Sequence, residues 1–128
     1  MKVGGRDFRS IWVEGGAVRI IDQTRLPHEF TVVTLATLED AALAIRDMWV
    51  RGAPLLGATA AYGVAIAMQS DPTDAGLARA QAVLAKTRPT AVNLRWALEE
   101  MAACLAPLAV SARADAAMVR AGAIADED

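Results

Sequence analysis

Cysteine and histidine are almost absent: Cys104 and His28 are the single examples of each in 128 residues. A lone thiol cannot close an internal disulfide, and one thiol with one imidazole, without an acidic cluster around them, does not make a metal site. Aromatic residues are also scarce at 5%, although 55% of the chain is hydrophobic. The apolar mass is therefore alanine, valine, leucine and isoleucine, a composition that suits helices packed backbone near backbone. Neither charge sign dominates. Thirteen basic and fifteen acidic residues, interspersed, leave a net charge of −2, so there is no electrostatic footprint for nucleic acid or an anionic membrane surface. The first ten residues, MKVGGRDFRS, lack an apolar run of signal-peptide length, and export is not expected. A reducing cytoplasm fits the cysteine usage.

The one long stretch without charge is Gly52 to Ser70, nineteen residues. Pro54, Gly52, Gly57, Gly63, Thr59, Gln69 and several alanines dilute it below the apolarity of a spanning helix of about 20 residues. A buried core helix is expected instead of a membrane span.

The chain is long enough for one domain and too short for two ordinary cores. Its pattern predicts an α+β fold, mainly α: a small antiparallel β-meander over 1–36, then a bundle of about five helices over 37–128. In SIWVEGGAVRIID, Gly15-Gly16 is a tight-hairpin signal between alternating Ile11/Val13 and Val18/Ile20. A turn around Leu26-Pro27-His28 then leads to a third strand in FTVVTL. The period changes at Thr37, which with Asp40 resembles a capping box opening a first helix that ends near Val50. Pro54 suits the first turn of the second helix, predicted to reach Met68 or Gln69 and, being apolar on nearly every side, to be central. SDPTDAG starts a third helix through Leu77, Ala80, Val83 and Leu84, with Arg79 and Lys86 off that face. The chain restarts at Pro89 for a fourth, presenting Leu94, Ala97, Met101, Cys104 and Leu105 and ending at Pro107. A fifth opens near Ser111. It closes on Asp126-Glu127-Asp128, acids that oppose the helix dipole, and the native chain is expected to continue.

Two arginines interrupt this pattern in a related way. Arg51-Gly52-Ala53-Pro54 and Arg88-Pro89-Thr90 each set an arginine before an expected helix start, where free N–H groups and about half a positive charge make a cation unfavourable. An arriving anion would reverse the balance. Free N–H groups, a glycine permitting close approach and a guanidinium able to grip two oxygens together form a phosphate site. The bland reading gives both arginines to solvent or to carboxylates. Cys104, on the apolar face of a helix, reads as a buried structural thiol, and His28 as a turn residue.

VRGAPLLGATAAYGVAIA (50–67) and TRPTAVNLRWALEEM (87–101) resemble the two N-terminal motifs of the methylthioribose-1-phosphate isomerase family. That superfamily also holds ribose-1,5-bisphosphate isomerases and regulatory subunits of an initiation-factor exchange complex. AGAIADED resembles the segment leading into the family's larger C-terminal domain. The resemblance implies a Rossmann-like catalytic domain downstream, bearing the catalytic cysteine and aspartate, so no catalytic residue is expected in this chain. It also implies a homodimer formed largely through that absent domain, and no metal or organic cofactor. The partner it implies is a small sugar phosphate, gripped by Arg51, Gly52, Ala53 and Arg88, with Thr90 and Asn93 assigned to capping and to holding the loop. Leu55-Leu56 depart from the family's usual pair on the buried side of the helix. The expected activity of the whole protein is aldose–ketose isomerisation of 5-methylthioribose 1-phosphate. Two competing readings are a non-catalytic regulatory module of the same superfamily and a helical interaction domain whose arginines are merely paired.

Overall fold

The computed structural model describes residues 2–3, 6–7, 10–26, 28–29 and 31–126, with the backbone alone for 2–3 and 6–7. Strands come first: β1 (Lys2–Val3), β2 (Arg6–Asp7), β3 (Ile11–Glu14), β4 (Ala17–Ile21) and β5 (Val32–Leu35). β1 and β2 form an antiparallel pair that the charge-rich N-terminal sequence did not announce. β3, β4 and β5 form the expected meander, with Ile11 opposite Ile20 and Val18 opposite Leu35. Gly15 and Gly16 both take positive φ, 59° and 81°, the conformation that a two-residue hairpin with the right twist demands and that side chains resist. Ile11, Val18, Ile20 and Leu35 are buried, whereas Val13 is exposed. A short 3-10 turn, Gln23–Arg25, follows β4, capped by the buried Asp22, whose carboxylate accepts from the Thr24 N–H at 3.0 Å. Pro27 and Phe30, assigned from sequence to the turn and third strand, lie outside the described residues, as do Glu127 and Asp128.

Among the described residues five helices follow: α1 (Leu38–Arg46), α2 (Ala53–Ser70), α3 (Asp74–Ala85), α4 (Val92–Leu105) and α5 (Val110–Asp126). The Thr37 capping box is formed on both sides, with the Thr37 hydroxyl accepting from the Asp40 N–H and the Asp40 carboxylate accepting from the Thr37 N–H. Helix α1 stops at Arg46, four residues before the predicted end at Val50. The reason lies in the carbonyls of its last turn. Trp49 N–H reaches back to Ala44 O at 2.9 Å and Met48 N–H to Ile45 O at 3.3 Å, with Met48 at φ 62°. That is a Schellman closure with methionine in the left-handed slot that glycine usually fills, at a cost of about 1 kcal/mol.

Helix α2 occupies the centre. Every residue from Leu55 to Met68 is buried, and α1, α3, α4 and α5 all pack on it. Small residues make this possible: a Cβ on Gly63 would sit 3.0 Å from Ala41 Cβ and 3.1 Å from a Leu84 methyl. Among the described residues no helix is long and apolar enough to cross a membrane. Helix α3 is capped by Thr73, whose hydroxyl accepts from Gly76 N–H, and its exposed Arg79 pairs with Glu39 of α1.

The bundle also contains a buried cation that the pattern did not reveal. Arg113 of α5 is buried and donates to Leu105 O, Ala106 O and Pro72 O, each at 3.0 Å, with Asp74 Oδ1 at 2.7 Å. A guanidinium there satisfies the last carbonyls of α4 and the turn before α3 together, where the helix dipole favours positive charge.

Candidate functional site

The two sequence motifs meet at one end of the bundle. Arg51 is exposed and, among the described residues, its side chain forms no hydrogen bond or ion pair. It immediately precedes Gly52, the N-cap of α2, at φ 95° and ψ 133°. A Cβ at Gly52 would touch nothing, so the glycine is required by backbone conformation and not by crowding. Ala53 opens the helix and Pro54 follows in its first turn, as the sequence suggested. The α2 start has no side-chain cap and no acid in its first turn.

Arg88 stands differently from the expectation. Its motif does not open a helix: Ala91 N–H donates to Arg88 O at 3.1 Å, which makes Arg88-Pro89-Thr90-Ala91 a β-turn with proline in its favoured second position. Helix α4 begins only at Val92, with Ala91 as N-cap. The half-buried Arg88 donates from Nε to Ile45 O, 3.3 Å away, in the last turn of α1. It therefore lies at a helix C-terminus, where a cation is favourable, so the paired-helix-start reading holds for Arg51 alone. Asn93 likewise does not cap α4, which has no side-chain cap. Its Nδ2 donates instead to Ala53 O at 3.0 Å.

These two bonds lash segment 88–93 to segment 45–53, and thereby bring the start of α4 beside the start of α2. A third tie comes from the 3-10 turn after β4: Gln23 N–H donates to Trp49 O at 2.8 Å, anchoring the loop that carries Arg51. Neither Gln23 nor the strained Met48 was singled out from the sequence. Main-chain bonding leaves no mark in the sequence, and a methionine in a glycine slot sends the opposite signal. The arrangement offers N–H groups of two uncapped helix starts, one exposed guanidinium and one part-buried guanidinium held by a single Nε bond. Its chemistry is that of an anion receptor. Cys104 is half-buried between α4 and α5, away from this end, and His28 is exposed in its turn. Among the described residues no cluster of histidine, cysteine and acids could hold a metal.

A methylthioribose-1-phosphate isomerase of Paramagnetospirillum magneticum is 63% identical over the whole of this chain, which covers 36% of that protein. Along its whole length the chain is similar to part of proteins named methylthioribose-1-phosphate isomerase. It spans about a third of the length of the curated relatives it matches. The crystal structure of 5-methylthioribose 1-phosphate isomerase from Pyrococcus horikoshii superposes with a TM-score of 0.86 at 34% identity, covering 94% of this chain and 36% of that one. The delta subunit of translation initiation factor eIF-2B from A. fulgidus gives 0.87 at 35% identity, covering 95% and 38%. No family model matches the chain. The isomerase family and the initiation-factor subunit thus share this fold.

Proposed function

We propose that this chain is the substrate-phosphate-binding, N-terminal part of an aldose–ketose isomerase that converts 5-methylthioribose 1-phosphate to 5-methylthioribulose 1-phosphate in methionine salvage. One observation carries the reading: two uncapped, acid-free helix starts sit side by side, Arg51 immediately preceding the first and Arg88 in the turn that leads into the second, in a chain matched along its length by enzymes of that name. Arg51, Gly52, Ala53 and Arg88 hold the phosphate. The ester at C1 prevents simple opening to a free aldehyde, so the phosphate must be held while the ring opens and hydrogen moves from C2 to C1. Positioning is then part of the chemistry. The two guanidiniums fix the phosphate and offset its charge.

In this reading residues 1–128 are one N-terminal domain, a β-meander over 1–36 and a helical bundle over 37–128. A Rossmann-like domain supplies the catalytic cysteine and aspartate, and the whole protein is a cytoplasmic homodimer. A second reading, a regulatory module that binds a sugar phosphate or nucleotide without turnover, is favoured by the fit to the initiation-factor subunit. The test is a turnover assay on the complete gene product with 5-methylthioribose 1-phosphate. Conversion that falls by about ten-fold or more in kcat/KM on Arg51→Ala supports the isomerase, on the usual strength of a charge-assisted bond. Tight sugar-phosphate binding without conversion replaces it with the regulatory module.

A further inference from the structure

Asparagine near a helix start ordinarily caps its own helix. Asn93 does not. It is the second residue of α4, the N-cap position is Ala91, and no side chain caps that helix. The Asn93 amide is spent across the bundle, forty positions away in sequence, on the carbonyl of the first residue of α2. The choice of atom matters. A donor placed on Ala53 O consumes none of the N–H groups that an anion at the α2 start needs, so the link and a ligand are compatible.

The same contact is shaped by Gly57, one turn into α2. A Cβ there would lie 3.2 Å from Asn93 O, 3.6 Å from Ala97 Cβ and 3.7 Å from Asn93 Nδ2. The closest of these is main chain, which cannot swing aside. Gly57 and Ala97 therefore set how near α4 lies to α2, and Asn93 fixes the register at which their starts face each other. Both starts carry the positive end of a helix dipole, and neither has an acid in its first turn. Holding two such ends together is unfavourable until negative charge lies between or beside them.

We infer that Asn93 is a positioning residue for the proposed phosphate site: its bond to Ala53 O, seated on the Gly57 contact, couples the α4 start to the α2 start so that both respond to one bound phosphate. The inference rests on the phosphate reading. It is tested by titrating the 15N-labelled chain with inorganic phosphate. The wild type is expected to shift the amides of Ala53 and Leu55 together with those of Val92, Asn93 and Leu94, and with the Asn93 side-chain NH2, at one common Kd. Asn93→Ala places a better helix former in α4. It is expected to keep the fold, weaken phosphate by about five-fold, the worth of one hydrogen bond, and silence the α4 amides while Ala53 and Leu55 still respond. Wild-type affinity with the α4 amides still shifting in Asn93→Ala overturns the positioning role. So does a wild-type titration in which the Asn93 NH2 signals stay still while Ala53 moves, a readout that needs no variant. A wild type that ignores phosphate, or an Arg51→Ala chain that binds it unchanged, overturns the phosphate reading and the positioning role with it.

Discussion

Helices α1 and α3 each begin on a threonine, Thr37 or Thr73, whose hydroxyl accepts a first-turn N–H, and each carries acid in that turn. Helices α2 and α4 begin on Gly52 and Ala91, with neither a side-chain cap nor an acid. The first pair satisfy themselves. The second pair leave donors open, and Asn93 holds those open ends together. A chain that knows how to cap a helix, and does so twice, leaves uncapped the two starts that meet beside Arg51. Helix stability alone gives no reason for that, because a cap contributes about 1 kcal/mol wherever it is placed. Anion binding gives one.

The contrast can be strained from several sides. The largest effect on stability is expected at Arg113, the arginine that serves helix ends in the opposite way. Arg113→Ala strands the carbonyls of Ala106 and Pro72, leaves Leu105 O with only the Leu108 N–H, and is expected to cost about 3 kcal/mol, read by urea denaturation. Phosphate binding by the chain that remains folded should not change. Ala91→Asp tests the comparison itself. Ala91 has the extended backbone of an N-cap, φ −77° and ψ 107°, so aspartate there should cap α4 and raise stability by about 1 kcal/mol. The same carboxylate should weaken phosphate binding, so that melting temperature and affinity move in opposite directions. If both rise, the α4 start is no part of the site.

The smallest effect belongs to the self-satisfied pair. Backbone hydrogen bonding at the α1 start, then Arg79, holds the Glu39 carboxyl below its ordinary value. A carboxylate lowered in the folded state stabilises it above the unfolded value of about 4.3, and that contribution is lost as pH falls through the folded value. Wild type should therefore lose more melting temperature than Glu39→Gln between pH 5 and the acid limit, by a small margin because the group is exposed.

Much of this architecture was legible beforehand, for reasons that can be named. Gly15-Gly16, the Thr37/Asp40 box, Pro54 and the uncharged run from Gly52 are local signals, and local signals set the hairpin, the start of α1 and the central helix. The misreadings share one cause. The end of α1 at Arg46, the turn at Arg88-Pro89-Thr90-Ala91, the reach of Asn93 to Ala53 and the burial of Arg113 all depend on carbonyls supplied from elsewhere in the fold or from an unusual backbone. Arg88 illustrates it best. Beside a proline it reads as a helix start, yet the carbonyl of Ile45, forty-three positions earlier, gives its guanidinium a helix end to serve. The family resemblance pointed to the same residues without supplying that geometry.

The most direct test of the central claim is isothermal titration of inorganic phosphate into the wild-type chain and into Arg51→Ala, with thermal melts of both. Arg51 is exposed and makes no bond within the described structure, so its removal is expected to leave the melting temperature unchanged while weakening phosphate by about ten-fold or more. Equal affinity in the two chains, or no phosphate binding by the wild type, would contradict the account.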